Sequence, residues 1–331
     1  MEDFFTNNPL WCEKTGKIYA LLERVKISEE QSKDVLHLRK ANRILSVGAT
    51  TAIEGNRLTA QQVFDVVNGK VVFAPLHDIK EVKNAFSAYE QIPDLDPYSV
   101  DDFLKSHRCI TENLVQEAGQ FRTVGVVVAN SRGEILHSGA DYKDVPRLVA
   151  ELLAWGKATD AHPIIKSAAV HFMVEHIHPF RDGNGRIGRL WQTLILAKWS
   201  PVFEWMPVET MIYHSQQKYY DALQQSHKNK IDCRPFIDFM FDIIEAAICR
   251  YADSEKSAIG GINGGLFGGL NALQKEIIAL IQENPNIRAF EMAQKLLKPV
   301  RTVENNLSWL KEKGIISRVG SKKTGCWKII A

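Results

Sequence analysis

The chain has 331 residues, 45% of them apolar and 24% charged, with 41 lysines and arginines against 39 aspartates and glutamates and a formal net charge of +2. That balance suits a globular protein of two domains, or of one large domain with an appendage, and excludes a chain coated in nucleic acid or an acidic disordered tail. Five scattered cysteines (Cys12, Cys109, Cys233, Cys249, Cys326) without a C-x-x-C pair argue against a disulfide framework or thiolate zinc site, and the lack of a signal-type or spanning apolar run leads us to expect a cytoplasmic chain without membrane contact.

Apolar residues recur at three- and four-residue spacing over 17–26, 33–45, 80–91, 100–117, 143–156, 161–176, 187–199 and 214–226, which predicts a mainly α-helical protein. One segment breaks the pattern. Residues 124–128 are largely β-branched, residues 129–134 contain a turn at Gly133, and Ile135 and Leu136 follow, which predicts a short hairpin. Residues 257–270 are glycine-rich and read as a linker. Beyond it, helices are expected over 271–283, 288–297 and 299–314, the last closed by Gly314, then strands over 315–319 and 327–330 around a turn at 320–325. Three helices and a β-wing make a winged helix-turn-helix. The expected domains are 1–100, 101–252, a linker over 253–270, and 271–331.

The stretch from His178 to Arg189, HPFRDGNGRIGR, carries the chemistry. Pro179 ends the preceding helix. Gly183 and Gly185 permit positive φ, and a turn of that kind aims successive backbone N–H groups at one anion. The next helix points its positive N-terminal end at the same place. Arg186 and Arg189 are three apart and can present two guanidinium forks to phosphate oxygens. Asp182 is the carboxylate available for a Mg²⁺ that arrives with the phosphates, and His178 is suited to take a proton from an attacking hydroxyl. The spacing Gly183-x-Gly185-x-x-Gly188 also matches a dinucleotide fingerprint, but it follows a helical segment where that fingerprint needs a strand. His171, His176 and His178 do not share a helix face, which argues against zinc among those three.

These residues resemble the signature of the Fic family, H-P-F-x-[D/E]-G-N-G-R-x-x-R, at every specified position, and the resemblance extends over roughly residues 35–250. It implies a helical core with a hairpin flap, and transfer of AMP from ATP to a serine, threonine or tyrosine hydroxyl of a protein, the chain itself included. In that reading His178 is the base, Phe180 anchors the loop and Asp182 holds Mg²⁺. ATP is expected on Gly183, Asn184, Gly185, Arg186, Ile187, Gly188 and Arg189, with the Asn184 side chain contributing, Arg186 on the β-phosphate and Arg189 on the γ-phosphate. Tyr219 and Tyr220 are candidates for the adenine pocket; being adjacent on a helix, they point about 100° apart, so one of them is expected to face the base. The hairpin is expected to dock an extended segment of the target by strand addition.

Upstream, Thr50-Thr51-Ala52-Ile53-Glu54-Gly55 resembles the family's inhibitory motif, which implies that Glu54 pairs with Arg189 and holds the enzyme back. In some relatives such a glutamate aligns a water, so removal of AMP stays open beside its addition. The C-terminal module is expected to bind DNA, to dock a protein or to support a homodimer. The other reading of the whole chain is a DNA-binding transcriptional regulator whose Fic domain senses nucleotide.

Overall fold

The computed structural model describes residues 5–6, 8–31, 35–129, 135–228, 232–259, 272–296, 298–312, 315–319 and 326–329. The chain divides into two compact units, Met1–Asp253 and Ser254–Ala331.

The first unit is built from α1 (Leu10–Gln31), α2 (Val35–Ile53), α3 (Ala60–Val67), α4 (Leu76–Glu90), α5 (Val100–Thr111), a hairpin of β1 (Val127–Ala129) and β2 (Ile135–Ser138), then α6 (Val145–Ala158), α7 (Pro163–Ile177), α8 (Asn184–Trp199), α9 (Val208–His214), α10 (Gln216–Lys228) and the larger part of α11 (Arg234–Ile259), which crosses the boundary at Asp253. α7 is the centre of the core. From Ile164 to Val174 it is buried almost all round, as a helix without a solvated face must be. α8 returns against it, burying Ile187, Leu190, Trp191, Leu194 and Leu196. Each such side chain contributes roughly 1.5–3 kcal/mol of burial, so the loop between α7 and α8 is held at both ends by buried, well-packed helix.

Several boundaries differ from the periodicity reading. α2 runs on to Ile53 rather than stopping at residue 45, because Val47, Ala49, Thr50 and Thr51 are all buried. Tertiary burial there outweighs the poor helix propensity of a Gly- and Thr-rich stretch. α5 stops at Thr111 rather than 117. Asn84 donates its amide to the carbonyls of Ile110 and Glu112 at 3.2 and 2.9 Å, and Asn113 takes φ 58°, which ends the helix. The helix expected over 214–226 is α10, which starts at Gln216 and runs to Lys228, with α9 ending at His214 before it. α3, with a reciprocal Thr59–Gln62 capping box, was not anticipated. The first hairpin strand starts later than expected and the second, beginning at Ile135 as expected, runs on to Ser138, pairing Val127 with Ser138 and Val128 with His137; the tip, 130–134, lies outside the described residues. α11 continues to Ile259, into the stretch read as a linker, and residues 260–271 lie outside the described residues.

The second unit contains α12 (Ala272–Glu283), α13 (Ala289–Lys295), α14 (Val300–Glu312) and an antiparallel pair, β3 (Ile316–Val319) with β4 (Cys326–Ile329). Ile277, Ile281, Met292, Val303, Leu310 and Trp327 form its core. This is the winged helix-turn-helix read from the sequence. Gly314 and the wing's turn, with Lys322 and Lys323, lie outside the described residues.

Candidate active site

α7 ends at Ile177 because His178 turns left-handed, with φ 53° and ψ 61°. Such a conformation is costly for a residue with a Cβ and persists only when its surroundings impose it. Arg122 does much of that. Its guanidinium, 1% exposed, donates to the carbonyls of His178 (2.7 Å), Val124 (2.7 Å), Ala140 (2.5 Å) and Ile177 (3.3 Å). One side chain thereby ties the end of α7 to both flanks of the hairpin. Nδ1 of His178 lies 3.3 Å from the Glu175 carbonyl, which can only accept, so Nδ1 carries the proton and Nε2 keeps its lone pair. Burial pushes the His178 pKa below its ordinary value, and the ring is neutral at pH 7.

The loop after His178 is packed from beneath. Phe180 is fully buried and stacks on His107 at 3.5 Å between ring centroids. His107 accepts the Gly119 N–H on Nδ1 and donates from Nε2 to the Asp182 carbonyl at 2.9 Å. Both ends of the Asn184 amide are committed to the Phe180 backbone, at 2.9 Å each. The side chain expected on the phosphates therefore closes the loop, and only its backbone N–H remains for an anion. Gly183 takes φ 86°, and a Cβ there would meet Thr111 Cγ2 at 2.8 Å. α8 then starts with the N–H groups of Asn184, Gly185 and Arg186 outside the helical ladder.

Ile187 and Gly188, expected to bind ATP, face elsewhere. The Ile187 N–H bonds the Gly183 carbonyl and its side chain is fully buried. A Cβ on Gly188 would lie 2.7 Å from His171 Cδ2, so this glycine lets α7 and α8 approach. Tyr219 is 1% exposed, its hydroxyl 3.1 Å from His171 Nε2 and 3.2 Å from Glu175 Oε1, whereas Tyr220 is 42% exposed beside the Ile53 carbonyl. Of the two tyrosines, only Tyr220 can meet a ligand from solvent.

Two buried arginines flank the first turn of α8. Arg186 donates from Nη1 to Glu81 Oε1 at 2.6 Å and from Nη2 to Asp182 Oδ1 at 3.2 Å, while its buried Nε has no hydrogen-bond partner among the described residues. Arg189 donates from Nε to Thr50 Oγ1 (2.8 Å) and from Nη2 to Glu54 Oε1 (2.5 Å) and the Thr50 carbonyl (3.1 Å). α2 ends just before Glu54, and Gly55 follows at φ 96°. Glu54 Oε1 lies so close to Gly185 that a Cβ there would meet it at 2.5 Å. Glu175 is the other carboxylate at this spot, and burial, then the nearby Glu54 charge, push its pKa up to about 7.

Sequence reasoning singled out the loop and Glu54, took residues 119–122 into the family resemblance without giving Arg122 a role, and missed Glu81, His107 and Glu175. The G-Q-F-R tetrapeptide ending at Arg122 was a visible signal; Glu81 carried none.

The Fic/DOC family's sequence model matches residues 97–196, and that of winged helix-turn-helix DNA-binding modules matches 270–317. A crystal structure of a Fic family protein from Desulfovibrio desulfuricans G20 superposes with a TM-score of 0.71 at 31% identity, covering 99% of this chain and 98% of that one. A Fic domain containing signaling protein from Bacteroides thetaiotaomicron shares the fold at 19% identity, with a TM-score of 0.62 over 73% of this chain and 97% of that one. Protein adenylyltransferase fic-1 of Caenorhabditis briggsae is 30% identical over 253 residues, which is 72% of this chain and 47% of the relative. Protein adenylyltransferase Fic of Culex quinquefasciatus is 30% identical over 222 residues, 63% of this chain and 42% of the relative. The chain thus spans about half the length of the curated relatives it matches.

Proposed function

The chain belongs to the Fic/DOC family, and from that premise we propose that it is a self-restrained protein adenylyltransferase, moving AMP from ATP to a hydroxyl side chain of a protein. One observation carries the proposal: a neutral His178, its Nε2 lone pair kept, opens the same short loop that leads into the N–H turn of α8 with its two buried arginines.

In this mechanism, Nε2 of His178 takes the proton from the target hydroxyl. The hydroxyl oxygen bonds the α-phosphorus of ATP while the bond to the β-phosphate bridging oxygen breaks, and pyrophosphate leaves. The backbone N–H groups of Asn184, Gly185 and Arg186 hold the charge that builds on the phosphates, in a geometry fixed beforehand by Phe180, His107 and Asn184. The unpartnered Nε of Arg186 supports a phosphate oxygen as its missing acceptor. Asp182 fits a Mg²⁺ ion: its carboxylate is 60% exposed at the mouth of the loop and can share a hard ion with phosphate oxygens and water. Bound there, the ion supplies charge neutralisation for the triphosphate.

Glu54 supports the restraint. It occupies the Arg189 fork that a terminal phosphate would need, and misplacing the triphosphate costs the in-line geometry. Relief of this contact gives the active state; with Glu54 in place beside the site, the same carboxylate can orient a water toward AMP already attached. The inhibitory segment falls in 1–100 and the catalytic core in 101–252, while the linker read over 253–270 begins inside α11, which runs to Ile259. Incubation with α-labelled ATP and Mg²⁺ tests the activity: label on protein, absent in His178→Ala, is expected, and equal labelling by His178→Ala would remove the mechanism.

A second role is favoured by the DNA-binding description of the module matched over 270–317. α14 presents Arg301, Glu304 and Asn305 to solvent above its buried Val303, Leu307 and Leu310 stripe, and Arg318 packs over Trp327 at 4.7 Å. A complex with duplex DNA that weakens steeply with salt supports this role; no complex at low salt points to protein docking or a homodimer.

A further inference from the structure

Three histidines outside the nucleotide loop meet beneath the flap: His137 on β2, His176 on the last turn of α7 and His227 on α10. All three are half-buried, and one ring nitrogen of each lies within 4.8 Å of those of the other two. Nδ1 of His176 is 3.0 Å from Nδ1 of His227. Two nitrogens on one tetrahedral zinc-like ion, at about 2.0–2.1 Å each, lie roughly 3.3 Å apart, so this pair already stands at ligand spacing. His137 donates from Nε2 to the His176 carbonyl at 2.6 Å. That bond leaves the lone pair on its Nδ1, and a ring N–H given to a backbone carbonyl is the usual companion of a ligating imidazole.

We propose that His137, His176 and His227 bind one divalent transition-metal ion of the zinc class, with solvent completing the coordination. An all-imidazole set suits zinc, cobalt, nickel or copper and not Mg²⁺ or Ca²⁺. His137 and His227 are stacked at 4.1 Å with 12° between planes, so binding turns these rings out of the stack until their lone pairs converge. The ion would join the flap, the end of α7 two residues before His178, and α10. The proposal is independent of the reading of the loop as an ATP site.

The test is calorimetry with Zn²⁺, and visible absorption with Co²⁺ as the probe, on the untagged, metal-stripped full chain without nucleotide. One ion per chain is expected, with a Co²⁺ spectrum of nitrogen coordination. His137→Gln and His227→Gln, on different elements and each checked for folding by thermal melting, should weaken binding at least tenfold. Asp182→Ala and His214→Gln should bind as the wild type does. A wild-type chain that takes up no stoichiometric ion overturns the site, as does binding unchanged in the folded His137→Gln or His227→Gln form. Binding lost in Asp182→Ala alone would put the ion on the nucleotide loop and equally overturn it.

Discussion

Nη2 of Arg189 donates to Oε1 of Glu54 at 2.5 Å, joining residues 135 apart in sequence, while the guanidinium is 1% exposed. Hydrogen bonds to charged groups contribute about 1.5–3 kcal/mol, roughly ten- to hundredfold in an equilibrium constant. In a His178→Ala background, where no transfer occurs, calorimetry should find ATP bound tighter by about that factor once Glu54 becomes glycine. Glu54→Gln, which keeps the shape and loses the charge, should fall between. Equal affinities in all three would detach Glu54 from the nucleotide site.

Arg122 links His178, Val124, Ala140 and Ile177 through their carbonyls. A lysine keeps the charge but not the planar fork. Arg122→Lys should lower kcat by about 10- to 100-fold through a displaced His178, since a misplacement near 1 Å costs about that much. ATP affinity should stay unchanged, because the α8 turn is untouched. A loss confined to ATP affinity would contradict this positioning role.

Much of the site was legible in one contiguous stretch, because the loop's glycines, its proline and its arginines act within a dozen residues. Glu54 was legible for the same reason, as a short local pattern. What was not legible comes from distance. The Glu81–Arg186 pair spans 105 residues and the His107–Asp182 contact 75, and neither leaves a local periodicity. Gly188 shows the opposite failure: the family resemblance implied ATP binding there, and only the packing against His171 revealed why a side chain is excluded. Helix periodicity found α7 and α8 but not the end of α5, which Asn84 sets from α4.

That packing role has its own test. Gly188→Ala puts a methyl 2.7 Å from His171 Cδ2. Overpacking of this kind costs about 1–3 kcal/mol, so the melting temperature should fall clearly. The fraction that remains folded should bind ATP as the wild type does. Unchanged stability with weakened ATP binding would return Gly188 to the nucleotide.

His171 is fully buried, and desolvation holds its pKa at about 3, well below the ordinary value of 6.5. The unfolded chain therefore binds a proton there that the folded chain refuses. The stability held by the neutral ring is complete above pH 6.5 and is lost as pH falls toward 3, at up to about 1.4 kcal/mol per pH unit. Denaturant melts of the wild type and His171→Gln should diverge in that window, the wild type losing stability faster. Parallel curves from pH 7 to 4 would contradict the buried, neutral assignment.

The most direct test of the central claim is intact-mass analysis of the wild type, Glu54→Gly and His178→Ala after incubation with ATP and Mg²⁺, alone and with a protein lysate. The account predicts AMP on protein with Glu54→Gly, little with the wild type and none with His178→Ala. No AMP on any protein with any of the three, or equal AMP with all of them, would contradict it.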